Sequence, residues 1–148
     1  MTAAVAAAAV TGVHLAARGG EPRRPLAWQD ITPELGHPRW ARPTVSVIRD
    51  RRELLRIVNG ATLAPHPHAP TVDLEHRQII LVAVGPRSSS GYALHIDSVT
   101  EQGGAIDVVV RERSPSLGKV VAPTLTFPFK AITVPLSTKR VHVDFAGR

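Results

Sequence analysis

Three serines, Ser88, Ser89 and Ser90, stand beside Gly91, with His95 and Asp97 a few residues on. These are the residue types of a nucleophile, a general base and an orienting carboxylate. A hydrolase serine of this kind occupies Gly-x-Ser-x-Gly on a turn between a strand and a helix. No serine in the chain has glycine both two residues before and two residues after it, and the YALHID that follows the serines reads as a strand. The stretch is therefore expected to be a turn that delivers the chain into a strand. Gly91 is expected to adopt positive φ there, and the serine hydroxyls to satisfy backbone groups of the turn. Tyr92 is expected to begin the strand, its ring packed inward and its hydroxyl near the rim.

The histidines raise a second chemistry. His95-Ile96-Asp97 and His142-Val143-Asp144 repeat one pattern, and the two-residue period of a strand puts each His and Asp on one face. On neighbouring strands they would offer two imidazoles and two carboxylates to a divalent metal. A second set, His66, His68, Asp73, Glu75 and His76, is richer in ligands, but its prolines fix no geometry. Alternating strands place polar residues on their solvated face in any case, so both sets are read as solvent-exposed, and no metal or cofactor is expected. Asp107 and Glu112 fall on opposite faces of one strand and form no acid/base pair. No phosphate-cradling glycine loop or dinucleotide fingerprint is present.

The elements that position these groups are short. TVSVI (44–48) reads as a strand and DRRELLRIV (50–58) as a helix, with Asp50 at the cap and Glu53 three residues on. Leu54, Leu55 and Val58, with Ile57 nearby, give that helix an apolar face, and Asn59-Gly60 is expected to end it. QIILVAV (78–84) is a continuous apolar run, as expected of a strand buried on both faces. YALHIDSVT (92–100) and AIDVVVRER (105–113) alternate about a Gly103-Gly104 turn. TFPFKAITV (126–134) and KRVHVDF (139–145) complete the set, the latter with Val141, Val143 and Phe145 inward. The expected fold is mostly β: a small antiparallel sandwich or partly open barrel of about six strands with one short helix.

The 148 residues suffice for one ordinary domain, and 43% hydrophobic against 20% charged residues fits a folded chain. Without cysteine, disulfides, thiolate catalysis and Cys-ligated zinc are excluded. The net charge of +6 is concentrated early, since residues 18–56 hold nine Arg against five acids. No nucleic-acid motif accompanies this excess, so it is read as a solubilising surface and not as a nucleic-acid partner site. Residues 1–17 form an Ala-rich, signal-like apolar segment, atypical or truncated because no basic residue precedes it. They point to an extracytoplasmic location and are too short and interrupted to span a membrane. Residues 18–43 form an arm rich in Arg, Pro and Gly, which Trp28 and Trp40 are expected to pin to a single domain over 44–148.

Several of these segments, in order and spacing, resemble the C-terminal domain family of the protease-complex subunit PrcB. They are IILVAVG (79–85), SSGYALHIDSV (89–99), the Gly-Gly turn, VVVRERSPSLG (108–118), TFPFKAITVP (126–135) and VHVDF (141–145). The likeness is strongest over 72–145. It departs at Ser89-Ser90, where the family usually has Thr-Gly, and at Phe129, where it more often has Tyr. The turn PRSSSGYAL is more weakly similar to a loop of chagasin-type protease inhibitors. The resemblance implies an exported, non-catalytic domain that helps assemble, stabilise or regulate a partner protein, a protease among the options. Binding is expected at strand-end loops 87–92, 114–119 and 126–129, through Arg87, Ser89, Ser90, Gly91, Tyr92, Phe127 and Phe129. The competing reading, a hydrolase or metal-dependent enzyme, requires the Ser, His and Asp groups to converge in one pocket.

Overall fold

The chain runs through two very short strands, β1 (Arg24–Pro25) and β2 (Gln29–Asp30), and a 3-10 turn at Thr32–Leu35. Strand β3 (Pro43–Ile48) and helix α1 (Arg51–Ala61) follow, then β4 (Arg77–Val84), β5 (Ala93–Gln102), β6 (Ala105–Arg113), β7 (Phe129–Pro135) and β8 (Arg140–Ala146). A computed structural model describes residues 21–63 and 69–147. The signal-like segment 1–17 lies outside the described residues.

The apolar run of β4 explains the layering. Ile79, Leu81 and Ala83 face a core shared with Leu54, Val58 and Ala61 of α1. Ile80, Val82 and Val84 face a second core shared with Leu94, Val99, Ile106, Val108 and Val110. The result is an open sandwich of two four-stranded sheets, β2-β7-β4-β3 and β1-β5-β6-β8, with α1 laid on the outside of the first. All pairings are antiparallel except β6 with β8, where Ile106 pairs Val141 and Val108 pairs Val143. Parallel pairing there follows from β7, which lies in the other sheet and carries the chain across between them.

Helix α1 begins as its sequence requires: the Asp50 carboxylate accepts from the Glu53 N–H at 2.8 Å. Its buried stripe is Leu54, Val58 and Ala61, with Ile57 partly covered. Leu55 is exposed, because it lies about 100° around the helix from Leu54. The helix also runs through Asn59-Gly60 to Ala61, since Gly60 keeps negative φ and Ala61 is held in the core. Full burial of Leu54 and Val58 stabilises this layer by roughly 1.5–3 kcal/mol each.

Strand β5 carries a bulge: Ile96 pairs Val110 and Ser98 pairs Val109, leaving Asp97 unmatched. The inward set therefore changes phase, from Leu94 and Ile96 to Val99. On the same side of the sandwich the Arg- and Pro-rich arm passes between the sheets. β1 pairs β5 and β2 pairs β7, while Ile31, Leu35 and Trp40 enter the helix-side core. Trp40 pins the arm; Trp28, 40% exposed, does so much less.

Glu101 joins three of these elements, bonding Lys139 ahead of β8 and lying 3.9 Å from Arg24 of β1. The hydrogen bond from Lys139, then its charge and that of Arg24, hold the Glu101 carboxyl below its usual range. A carboxyl depressed in the folded state binds its proton more readily when unfolded. Its contribution is present above the unfolded-state value near 4.5 and is lost as pH falls through the folded-state value. Chemical denaturation across the acid range is therefore expected to show a shallower loss of stability in Glu101→Gln than in the unmodified chain.

Candidate functional site

The site grows from the end of β4. Gly85 takes φ 79°, turning the chain out of the strand, and Pro86 and Arg87 follow. The Arg87 guanidinium forks onto Glu112 of β6, Nε to one carboxylate oxygen and Nη2 to the other at 3.0 Å. Its Nη1 donates to the carbonyls of Val84 at 2.9 Å and Pro86 at 3.0 Å. One side chain thus ties the turn to two strands, and the Glu112 bond, then its charge, raises the Arg87 pKa above the ordinary value.

The backbone of this turn is stitched to the segment ahead of β7. Arg87 and Thr126 exchange N–H···O bonds of 2.8 and 2.9 Å. The Thr126 hydroxyl donates to the Ser89 carbonyl at 2.8 Å. The Ser90 N–H donates to the Ala122 carbonyl at 3.1 Å, and the Ala122 N–H returns a bond to Ser90 Oγ at 3.1 Å. Ser89 Oγ, buried, accepts weakly from the Gly91 N–H at 3.4 Å. The Ser89 and Ser90 hydroxyls serve the turn, as expected of them.

Gly91 corrects an expectation. Its φ is not positive; the left-handed conformation belongs to Gly85. Glycine is needed at 91 for space, because a Cβ there would sit 2.5 Å from Pro115 Cγ and 2.8 Å from Val121 Cγ1. Loops 85–92 and 114–128 therefore pack as one unit.

Tyr92 emerges from that unit half-buried, as the wall between two depressions. The larger, about 310 Å³, is bounded by His37, Arg39, Leu125, Phe127 and Phe129. The smaller, about 170 Å³, lies toward Glu112, Ser114 and Phe145. Phe127 and Phe129 are both half-buried and differ in role. The Phe129 ring packs on Trp40 at 4.9 Å and 59°, so it belongs partly to the core. The Phe127 ring lies under the Arg39 guanidinium at 5.9 Å. Leu125, which lines this cleft, is 62% exposed, and Leu117 and Val120 of the same loop are fully exposed.

The structure brings Arg87, Ser89, Ser90, Gly91, Tyr92, Phe127 and Phe129 to one end of the sandwich. It does not bring the strand candidates His95 and Asp97 together with His142 and Asp144. β6 lies between β5 and β8, so His95 and Asp97 are at least two strand spacings, about 10 Å, from His142 and Asp144, and His95, level with Ala146, is farther still from His142. Asp97 is engaged by Arg111 at 2.7 Å. The loop at 73–76 is different: Asp73, Glu75 and His76 place ligand atoms within 4.8 Å of one another. There Asp73 receives the Glu75 N–H at 3.1 Å and contacts His76 Nδ1 at 2.8 Å, and that His76 bond, foremost, lowers its pKa. Its oxygens are thus used by the turn itself. His66 and His68 lie outside the described residues.

His37 and Arg39 are site residues that the sequence hid, because the arm carries no regular apolar spacing. Only Trp28 and the adjacent Trp40 signal that the arm returns to the domain. Leu125 is hidden for a different reason: a single apolar residue in a loop looks the same whether it ends up buried or exposed.

Residues 78–135 match the family model described as PrcB C-terminal. That segment of the chain is similar to the PrcB C-terminal family. The match begins in β4, ends with β7 and contains the whole stitched-loop unit around Tyr92, while α1 and β8 flank the matched segment. No curated protein and no solved structure matches the chain. Among the described residues, no helix is long and apolar enough to cross a membrane.

Proposed function

We propose that this PrcB-like domain is an exported, non-catalytic interaction module that assembles, stabilises or regulates a partner protein, with a protease as the first partner to test. One observation carries the reading. Tyr92 stands on a rigidly bonded loop pair between two depressions, with Leu125 and Phe127 lining the larger one beside it and Leu125 well exposed. Exposed apolar residues gathered on one surface mark binding sites, and an aromatic anchor held by its support loses little entropy on binding. Arg39 over Phe127 adds a cation at the cleft rim. The family resemblance supplies the protease, and the apolar N-terminal segment supplies export.

The test is affinity capture from the organism's exported fraction, with Tyr92→Ala and Leu125→Ser variants in parallel. Both positions lie outside the buried core, so folding is preserved, which thermal unfolding checks. Phe129→Ala is a poorer probe, because Phe129 supports Trp40. A recovered partner should rebind the purified domain, with affinity at least about tenfold weaker for Tyr92→Ala, as for an anchor residue. Equal rebinding by the wild type and both variants would reject this surface.

A further inference from the structure

The outer edge of β8 has no strand beside it among the described residues; β8 pairs with β6 alone. Long bare edges promote association, and proteins usually blunt them with proline, lysine, a bulge or short length. Strand β8, RVHVDFA, has none of these over seven residues. The other edges differ: β1 and β2 are two residues each, and β3 opens with Pro43 and carries no charge.

The geometry of β8 points to a specific occupant. The Arg140 N–H donates to the Gly104 carbonyl at 3.2 Å, toward β6. By the alternation of a ladder, the N–H and C=O groups of His142 and Asp144 also turn toward β6, and those of Val141 and Val143 turn outward. On the solvated face, Arg140, His142 and Asp144 are all exposed. Neither the Arg140 nor the Asp144 side chain has a partner among the described residues. Four residues apart on one strand, they are separated by about 13 Å and cannot pair with each other.

A second copy of the same strand, laid antiparallel about a twofold axis at His142, pairs them. Arg140 then faces Asp144 of the other copy, and Asp144 faces its Arg140. Val141 stands opposite Val143, so their outward backbone groups exchange bonds in the same register. We infer that the chain self-associates through β8 into a twofold dimer, joining two four-stranded sheets edge to edge. This is an isologous interface, in which one patch complements itself. It does not rest on the loop reading above.

The test is analytical ultracentrifugation of the full chain over a concentration series reaching the high micromolar range. The wild type is expected to double in mass with concentration. Asp144→Arg and Arg140→Asp each set like charges opposite one another and should weaken association at least tenfold. An equimolar mixture of the two variants, and the double variant Arg140→Asp/Asp144→Arg, restore both attractive pairs and should recover the dimer. Circular dichroism and thermal unfolding at low concentration should leave the single variants unchanged, because these side chains bond nothing among the described residues. A wild type that stays monomeric overturns the inference. So does a dimer that survives both single substitutions, or a variant mixture that fails to recover it.

Discussion

Trp40→Ala is expected to destabilise the domain by about 3–5 kcal/mol, the usual cost of truncating a buried Trp to alanine. Trp40 is 8% exposed and packs in the helix-side core with Ile31, Leu35, Ile48, Leu54 and Val58. Its ring braces Phe129 at 4.9 Å, and the preceding Arg39 N–H donates to the Ala61 carbonyl at the end of α1 at 2.6 Å. The residue therefore fastens the arm to the helix and to β7 together. Removing it leaves a cavity and frees the His37–Arg39 wall of the Tyr92 cleft. Trp28→Ala is the control: that ring is 40% exposed and outside both core clusters, so a loss below about 1 kcal/mol is expected. Urea unfolding followed by fluorescence, with the midpoint and slope compared, measures both. Equal losses in the two variants would show that Trp40 is no anchor. Where Trp40→Ala leaves too little folded protein, Trp40→Phe preserves an aromatic contact and should fall between the two.

The contrast between the two tryptophans shows what a sequence can and cannot reveal here. Strand β4 was legible because seven consecutive buried residues, Gln78 to Val84, leave no solvated face, and only a layered fold covers both sides. The hairpin at Gly103-Gly104 and the cap at Asp50 were legible because both are local. The bulge at Asp97 was not, because an unmatched residue is defined only by the partner strand, and β6 supplies that register. The need for glycine at 91 was legible, but its reason was not. Pro115 and Val121 lie more than twenty residues along the chain, so the crowding that excludes a Cβ is a tertiary fact. The same holds for Glu112, which sequence reasoning weighed only against Asp107 on its own strand, whereas its partner is Arg87. At the site, the loop residues around Tyr92 could be named in advance because turn chemistry marks them. The wall made by His37 and Arg39 could not, because it depends on where an irregular arm returns.

Arg87 is where the stability of the fold and the shape of the site meet. Arg87→Ala is expected to cost about 2–3 kcal/mol, because it strands a carboxylate and two carbonyls that were bonded through one guanidinium. The side chains of Arg87 and Glu112 are only 23% and 20% exposed, so water replaces those bonds incompletely. Arg87→Lys should recover little, since an ammonium cannot fork onto both oxygens of Glu112 and also reach the Val84 and Pro86 carbonyls. The double variant Arg87→Met/Glu112→Leu removes both charges while keeping apolar bulk, and should regain at least half of the loss. A double-mutant cycle in urea measures the coupling directly. Hydrogen exchange supplies the local readout: with the pin gone, the Arg87 and Thr126 amides, bonded to each other's carbonyls, should exchange faster while those of β4 hold. Binding of the proposed partner should then weaken with Tyr92 untouched, because an anchor on a loosened loop must be ordered again on binding. An Arg87→Ala variant within about 0.5 kcal/mol of the wild type would place the pair among ordinary surface ion pairs. The rigidity of the Tyr92 platform would then have to come from the Ser90–Ala122 and Arg87–Thr126 backbone bonds alone.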